Sequence, residues 1–364
     1  MTSGRIGVIG AGLIGGSIGF AARAVGAEVT VLDADAPRAA LAVELGAADR
    51  SAVDLGDLVA HADVVFVAVP VSHVAEVVVA ALDAGAAVVT DVGSVKAPVL
   101  AAVQAARPDA AGTFVGGHPM AGSEQDGLEG AHVALFRGAT WVLTPTPATD
   151  PEAFRAVRSL VASFGGEVVA FAPEDHDDLV AVVSHVPQLA ATTLMDVAAR
   201  RGEEAQGLLR LAAGGFRDMT RVAASHPAIW PDICVENRDA IIGALDVYVD
   251  ALRSVRGFVA DGDRAALLEL LTRARTARRN LPVGAATAGP LVELRIPIPD
   301  RPGMLAEVTT LAGTLGINIS DIETAHSAEG PFGVLILVVP EADAPTFITE
   351  LRTREFLATA TPLT

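Results

Sequence analysis

Six residues near the start limit the fold more than any other stretch of the chain. Gly10-Ala11-Gly12-Leu13-Ile14-Gly15 follows an apolar run at 6–9 and opens an Ala- and Gly-rich helical segment. A Gly-rich turn alone is a weak signal. Between a strand and a helix it becomes the phosphate-cradling turn of a dinucleotide-binding βαβ unit. Gly10 makes the tight turn, Gly12 lets the backbone approach a pyrophosphate, and Gly15 lets the helix pack close to the sheet. The N–H groups of the first helical turn, at Leu13 and Ile14, face the anion. Asp33 ends the next apolar run (29–32), where a carboxylate binds a ribose 2′-hydroxyl. Asp35 adds negative charge that repels a 2′-phosphate, so NAD is expected rather than NADP. Arg38 is the residue that could reverse that preference.

Apolar runs at 64–69, 87–90, 113–115, 141–143 and 167–170 continue the pattern, with helical segments between the earlier ones. Strand–helix alternation implies an α/β, mostly parallel, doubly wound sheet over 1–172, a Rossmann-type NAD-binding domain. From 173 to 282 the spacing implies helices only, at about 175–200, 203–212, 216–224, 234–260 and 264–279. This is an all-α domain whose apolar faces exceed the needs of one small bundle, so a homodimer is expected. A Gly/Ala/Pro-rich linker at 281–290 precedes a βαββαβ pattern over 290–364.

The formal net charge of -18 repels nucleic acid and anionic lipid, so neither is an expected partner. An anionic substrate then needs a local island of cationic side chains. One cysteine, Cys234, fits a reducing compartment. With no signal-peptide layout at the start and no segment that reads as a membrane span, a cytoplasmic location is expected. No metal site is expected.

In an open α/β sheet the ligand lies off the carboxyl ends of the strands. Val69-Pro70 closes one strand there, and Asp91-Val92-Gly93-Ser94-Val95-Lys96 follows the next. Gly116-Gly117-His118-Pro119-Met120-Ala121-Gly122-Ser123-Glu124 follows the one after. Pro119 restricts the backbone of His118, and imidazole accepts protons near neutral pH. Ser94 is placed to orient that ring. A packing role for His118 is equally open on these grounds. In the helical part, Asp218 and Arg221 are three apart and would share a helix face. A cleft arginine would clamp a substrate carboxylate, although surface ion pairs are the commoner use.

Taken together the chain resembles the prephenate/arogenate dehydrogenase family. The resemblance rests on Gly10–Gly15, the Thr90–Lys96 segment, Gly116–Glu124, Ser184-His185-Val186-Pro187, and Gly214–Arg221 with Trp230 and Glu236-Asn237-Arg238. It implies oxidative decarboxylation of prephenate with NAD reduction, in tyrosine biosynthesis. It also implies His118 as the catalytic histidine, Ser94 as its positioning serine and Arg221 as the ligand of the ring carboxylate. Glu124 and Asp218 would pair with that arginine, and Ser123, His185 and Gln188 would line the substrate pocket. Many members carry a second histidine where this chain has Gln188, which leaves prephenate or arogenate open as substrate.

The C-terminal segment resembles an ACT domain. Asp300-Arg301-Pro302-Gly303 and Gly316-Ile317-Asn318-Ile319-Ser320 match its turns, which implies a tyrosine effector site at Asp300, Pro302, Gly303, Asn318 and Ile319. Two rivals are a β-hydroxyacid dehydrogenase-like enzyme and a sensor that binds NAD and amino acid without turnover. Many hydroxyacid enzymes use a helix lysine, and the single lysine here, Lys96, lies in a loop.

Overall fold

The computed structural model describes residues 4–122, 125, 127–204, 208–281, 290–299, 301–326 and 332–363. Ser123, Glu124 and Asp300 lie outside them. The chain forms two compact units, Met1–Leu209 with Met219–Val249, and Arg210–Asp218 with Asp250–Thr364.

The first unit is built on an eight-stranded sheet. Its strands are β1 (Arg5–Ile9), β2 (Glu28–Leu32), β3 (Arg50–Ser51), β4 (Val64–Val67), β5 (Val89–Asp91), β6 (Phe114–Pro119), β7 (Thr140–Thr144) and β8 (Glu167–Ala170). They lie in the order β3-β2-β1-β4-β5-β6-β7-β8. The order reverses between β1 and β4, which makes the crevice at their carboxyl ends the topological switch point. The helices are α1 (Leu13–Ala24), α2 (Ala36–Glu44), α3 (Leu55–Ala60), α4 (Val71–Asp83), α5 (Ala97–Ala106) and α6 (Pro151–Ser163). β4 is a continuous, fully buried Val/Phe run, and β1 is buried from Ile6 to Ile9, as central parallel strands are.

Two details depart from expectation. The strand expected to stop at 115 continues to Pro119, so His118 sits inside β6, opposite Val142 of β7. The first half of β6 pairs parallel with β5 and the second half antiparallel with β7. Gly116 and Gly117 are there for close packing: a Cβ on either would come within 2.4 Å of Thr144 Oγ1 or 2.7 Å of the Asp91 carbonyl. The strand expected over 64–69 stops at Val67, because Pro70 caps α4.

The helical segment begins with α7 (Pro173–Val180), a π-helical turn (Ala181–His185) and α8 (Val186–Glu204). Such π-turns occur mostly at functional sites, where they re-aim side chains. By length and hydropathy the run Pro173–Gly202 could cross a membrane. It nevertheless buries His176, Asp177, His185 and Gln188 against other elements. A 3₁₀ turn at Leu208–Leu211 stands in the region expected as a helix over 203–212. α9 (Gly214–Thr220) ends before Arg221, which opens a separate 3₁₀ turn, Arg221–Ala224. Asp218 and Arg221 therefore do not share one regular α-helical face: Thr220 leaves helical geometry at φ -99° and ψ 1°. α10 (Trp230–Glu236), α11 (Arg238–Asp261) and α12 (Arg264–Arg279) follow.

In the second unit, β9 (Leu291–Pro299), α13 (Met304–Thr314), β10 (Asp321–His326), β11 (Phe332–Pro340), α14 (Ala344–Thr353) and β12 (Thr359–Leu363) realise the βαββαβ pattern. The sheet order is β10-β11-β9-β12, antiparallel throughout. This ferredoxin-like module has its own core, with Leu294, Ile296, Val308, Leu335, Leu337 and Phe347 at its centre.

Candidate active site

The turn after β1 behaves as its glycines require. Gly10 adopts φ +99°, and a Cβ on Gly15 would stand 1.8 Å from the Gly10 carbonyl oxygen. A Cβ on Gly12 would meet nothing within 4 Å, so its backbone faces open space. No side chain caps the N-terminus of α1, where Leu13 and Ile14 form the first turn. Asp33 accepts hydrogen bonds from Ala11 N (2.7 Å) and Asp35 N (2.8 Å), which fixes its carboxylate beside the turn. Arg38 lies 3.5 Å from both Asp33 and Asp35. Its charge is thus already balanced by two carboxylates. A cavity of about 540 Å³ opens here, lined by Gly10, Gly12, Asp33, Arg38, Val69 and Pro70 among others.

The carboxyl end of β5 supplies a buried ion pair. The Lys96 ammonium bonds Asp91 and donates to the Gly117 carbonyl at 2.8 Å. Asp91 also accepts from Gly93 N (2.9 Å) and Gly117 N (3.1 Å). Burial pushes the Lys96 ammonium down, with Asp91 and Asp177 opposing. The pair locks the β5 loop to β6 one residue before His118. Lys96 is thereby a structural cation, with its side chain 1% exposed.

His118 is half-buried, and its Nδ1 lies 2.9 Å from His176 Nε2. The two rings meet edge to face, centroids 5.1 Å apart and planes at 74°. His176 in turn places Nδ1 2.8 Å from Asp177 Oδ1. Asp177 accepts from Lys96 N and Ala97 N at 2.8 Å each, so it also caps α5. Sequence reasoning expects Ser94 to orient the His118 ring. Ser94 is half-buried in the β5 loop, but the partner on Nδ1 is His176. Burial first, then His176, Lys96 and His185, hold His118 well below the ordinary imidazole value of 6.5. It is therefore neutral at physiological pH.

His185, on the π-turn, shares a contact of 3.2 Å with Asn237 Nδ2, which also donates to the Asp177 carbonyl at 3.0 Å. Its ring meets Trp230 edge-on, and its Nε2 is buried without a hydrogen-bond partner among the described residues. Burial lowers His185 to about 4, Asp177 opposing and His176 adding to the shift. Gln188, one turn on, donates to Ser225 Oγ at 3.0 Å, which also accepts from Trp230 Nε1 at 3.1 Å. The Arg221–Ala224 turn packs on α8, with Arg221 exposed, and Ser225, which follows it, is the Gln188 partner. His118, His176 and His185 thus belong to one hydrogen-bonded network with Asp177, Asn237 and Lys96, and Gln188 approaches it only through Ser225 and the Trp230 ring that meets His185. Asp218 is exposed and belongs to the other compact unit.

Comparison with known proteins gives this arrangement a family. Residues 18–170 match the prephenate dehydrogenase nucleotide-binding domain, and residues 172–273 match the prephenate dehydrogenase dimerization domain. The prephenate dehydrogenase of Bacillus subtilis is 33% identical over 90% of this chain and 89% of its own length. The chain belongs to the prephenate dehydrogenase family.

Solved structures of the family superpose on most of the chain. The prephenate dehydrogenase of A. aeolicus, in complex with hydroxyphenyl propionate and NAD+, has a TM-score of 0.71 at 29% identity. The match covers 78% of this chain and 99% of that one. Synechocystis arogenate dehydrogenase follows with a TM-score of 0.66 at 31% identity, covering 75% and 98%. Within the family the nucleotide-binding domain carries His118, and the dimerization domain carries His176, Asp177, His185 and Gln188. The histidine pair therefore joins two family domains.

In the C-terminal module, Pro302 and Gly303 line a cavity of about 460 Å³ with Arg301, Met304 and Thr324. Gly303 has φ +96° and caps α13. Asn318 and Ile319 do not line it: Asn318 is exposed, and Ile319 is half-buried under the module's core.

Proposed function

We propose that the chain is an NAD-dependent prephenate dehydrogenase, converting prephenate to 4-hydroxyphenylpyruvate and carbon dioxide. The observation that carries this reading is a neutral imidazole, His118, held by a hydrogen bond on Nδ1 at the carboxyl edge of the sheet. Gly10, Gly12, Leu13, Ile14, Gly15, Asp33, Val69 and Pro70 would hold NAD, with the adenosine ribose at Asp33. Bound there, NAD would supply the hydride acceptor for C4 of the substrate ring. His118 takes the C4 hydroxyl proton as the carbonyl forms. The bond to the ring carboxylate then breaks, its electrons aromatise the ring, and the proton returns to the phenolic oxygen. Arg221 anchors the ring carboxylate, with Glu124 and Asp218 acting on that arginine and Ser94 supporting His118. Ser123, His185 and Gln188 shape the pocket. The protein contributes orientation, exclusion of water and one proton transfer.

Gln188 favours a second reading, arogenate dehydrogenase, because a neutral amide leaves the substrate side chain unselected by charge. A hydroxyacid dehydrogenase mechanism is disfavoured because Lys96 is buried in an ion pair. The domain division 1–172, 173–282 and 290–364 follows the same reading. Exposed Val247, Leu252 and Val259 on α11, and Leu268 and Leu271 on α12, suit a homodimer. The C-terminal module is ACT-like on topology, with tyrosine as its proposed effector near Pro302 and Gly303. The test is NADH formation at 340 nm with prephenate and arogenate in parallel, with and without tyrosine. Arg221→Gln should chiefly raise KM and His118→Asn chiefly lower kcat. No turnover of either substrate would refute the enzyme assignment.

A further inference from the structure

Asp177 determines where the protons lie along the buried chain His118–His176–Asp177. Its Oδ1 receives Lys96 N and its Oδ2 receives Ala97 N, each at 2.8 Å, so as a carboxylate it can only accept from His176 Nδ1. His176 then carries its proton on Nδ1. Its Nε2 presents a lone pair to His118 at 2.9 Å. The only hydrogen available for that contact is on His118 Nδ1. The proton of His118 is thus placed on Nδ1 and its lone pair on Nε2, the nitrogen not engaged by His176. His176 is 1% exposed and Asp177 4% exposed, so water does not compete for these bonds.

We propose that His176, backed by Asp177, is a positioning residue that fixes His118 as the Nδ1–H tautomer and so leaves Nε2 as the proton acceptor. The catalytic part of this inference rests on the functional reading above; the tautomer itself does not. The other groups facing the pair are compatible with it. Lys96 from the β5 loop is neutralised by Asp91, and His185 from the π-turn is held neutral by burial. The charge that His118 gains on accepting a proton is then met through His176 by the one carboxylate in line, Asp177. Neither His176 nor Asp177 touches substrate in this scheme, which separates them from His118.

Two variants test this. His176→Leu removes the acceptor. His176→Gln keeps it, since one amide can accept from His118 and donate to Asp177. The first readout is ¹⁵N NMR of histidine-labelled full-length protein without ligands, with the His118 signal assigned by its loss in His118→Asn. Wild type and His176→Gln should show the proton on Nδ1, and His176→Leu should move it to Nε2. The second readout is steady-state kinetics: His176→Leu should lower kcat by about 10–100-fold, the usual cost of losing an orienting partner, with KM nearly unchanged. His176→Gln should restore most of that loss. If His176→Leu does not fold, the wild-type and His176→Gln spectra still decide. An Nε2–H signal for wild-type His118 overturns the proposal whatever the enzyme's substrate. A tautomer and kcat unchanged in His176→Leu overturn it as well. A tautomer that switches as expected in a protein that turns over neither prephenate nor arogenate would uphold the proton arrangement and refute the functional reading alone.

Discussion

Replacing Lys96 by Met should be among the most destabilising single changes in the first unit. The side chains of Lys96 and Asp91 are 1% and 0% exposed, so neither charge has water to fall back on. Met matches the length of the stem but removes the ammonium. Asp91 keeps two backbone donors, Gly93 N and Gly117 N, while the Gly117 carbonyl loses its donor. Leaving one partner of a buried pair uncompensated costs about 3–5 kcal/mol. The orphaned carbonyl accounts for about 1 kcal/mol of that total. For a unit of this size the melting temperature should fall by about 6–20 °C. Removing the carboxylate charge as well, in Lys96→Met/Asp91→Asn, should recover more than half of the loss, because the penalty comes from the unpaired charge and not from the missing attraction. Urea unfolding followed by tryptophan fluorescence measures both, since Trp141 is buried on the strand next to β6. A single variant within 1 kcal/mol of wild type would refute this account of the pair. So would a double variant less stable than the single one.

Gly15→Ala should abolish NAD binding, because its Cβ would stand 1.8 Å from the Gly10 oxygen and force the turn apart; an unchanged NADH fluorescence titration would contradict this. The acid limb of kcat/KM should lie below pH 6.5, since burial depresses His118 and only its neutral form accepts a proton. A limb at or above 6.5 in the pH–rate profile would remove His118 as the group reported. His185 stays neutral in the fold down to about pH 4, whereas the unfolded chain takes up that proton near 6.5. Its contribution to stability is therefore full above 6.5 and drains away as pH falls toward 4. Denaturation at pH 7.5 and 5 should show a smaller pH-dependent loss in His185→Gln than in wild type.

The nucleotide turn was legible because its glycines answer local demands: Gly10 needs a left-handed backbone and Gly15 has no room for a Cβ. The βαββαβ order was legible for a similar reason, its periods being regular and its turns marked by glycine and proline. β6 was misjudged beyond 115 because its second half is held by β7, more than twenty residues on, and pairing at that range leaves little trace in local composition. β3, two residues long, was invisible for the same cause. Arg221 was placed on the wrong kind of turn, since nothing in Arg217–Arg221 marks where the α-helix tightens.

His176 was missed altogether, although a signal existed. Pro173, His176, Asp177 and Val180 are the buried positions of α7, spaced three and four apart. A histidine and an aspartate on the inward stripe of an otherwise polar helix must be satisfied by partners from elsewhere. Reading that stripe would have flagged them, though not that the partners were His118, 58 residues away, and the start of α5.

Asp177 is shared property. One oxygen terminates the imidazole chain while the pair of them anchors the backbone where α5 begins, so two segments 80 residues apart answer to a single functional group. A slight rotation of α7 would therefore re-aim the proposed proton acceptor and loosen the Lys96 loop in the same stroke. Substitutions that retune the pocket from the helical side cannot drift independently of the sheet that faces it.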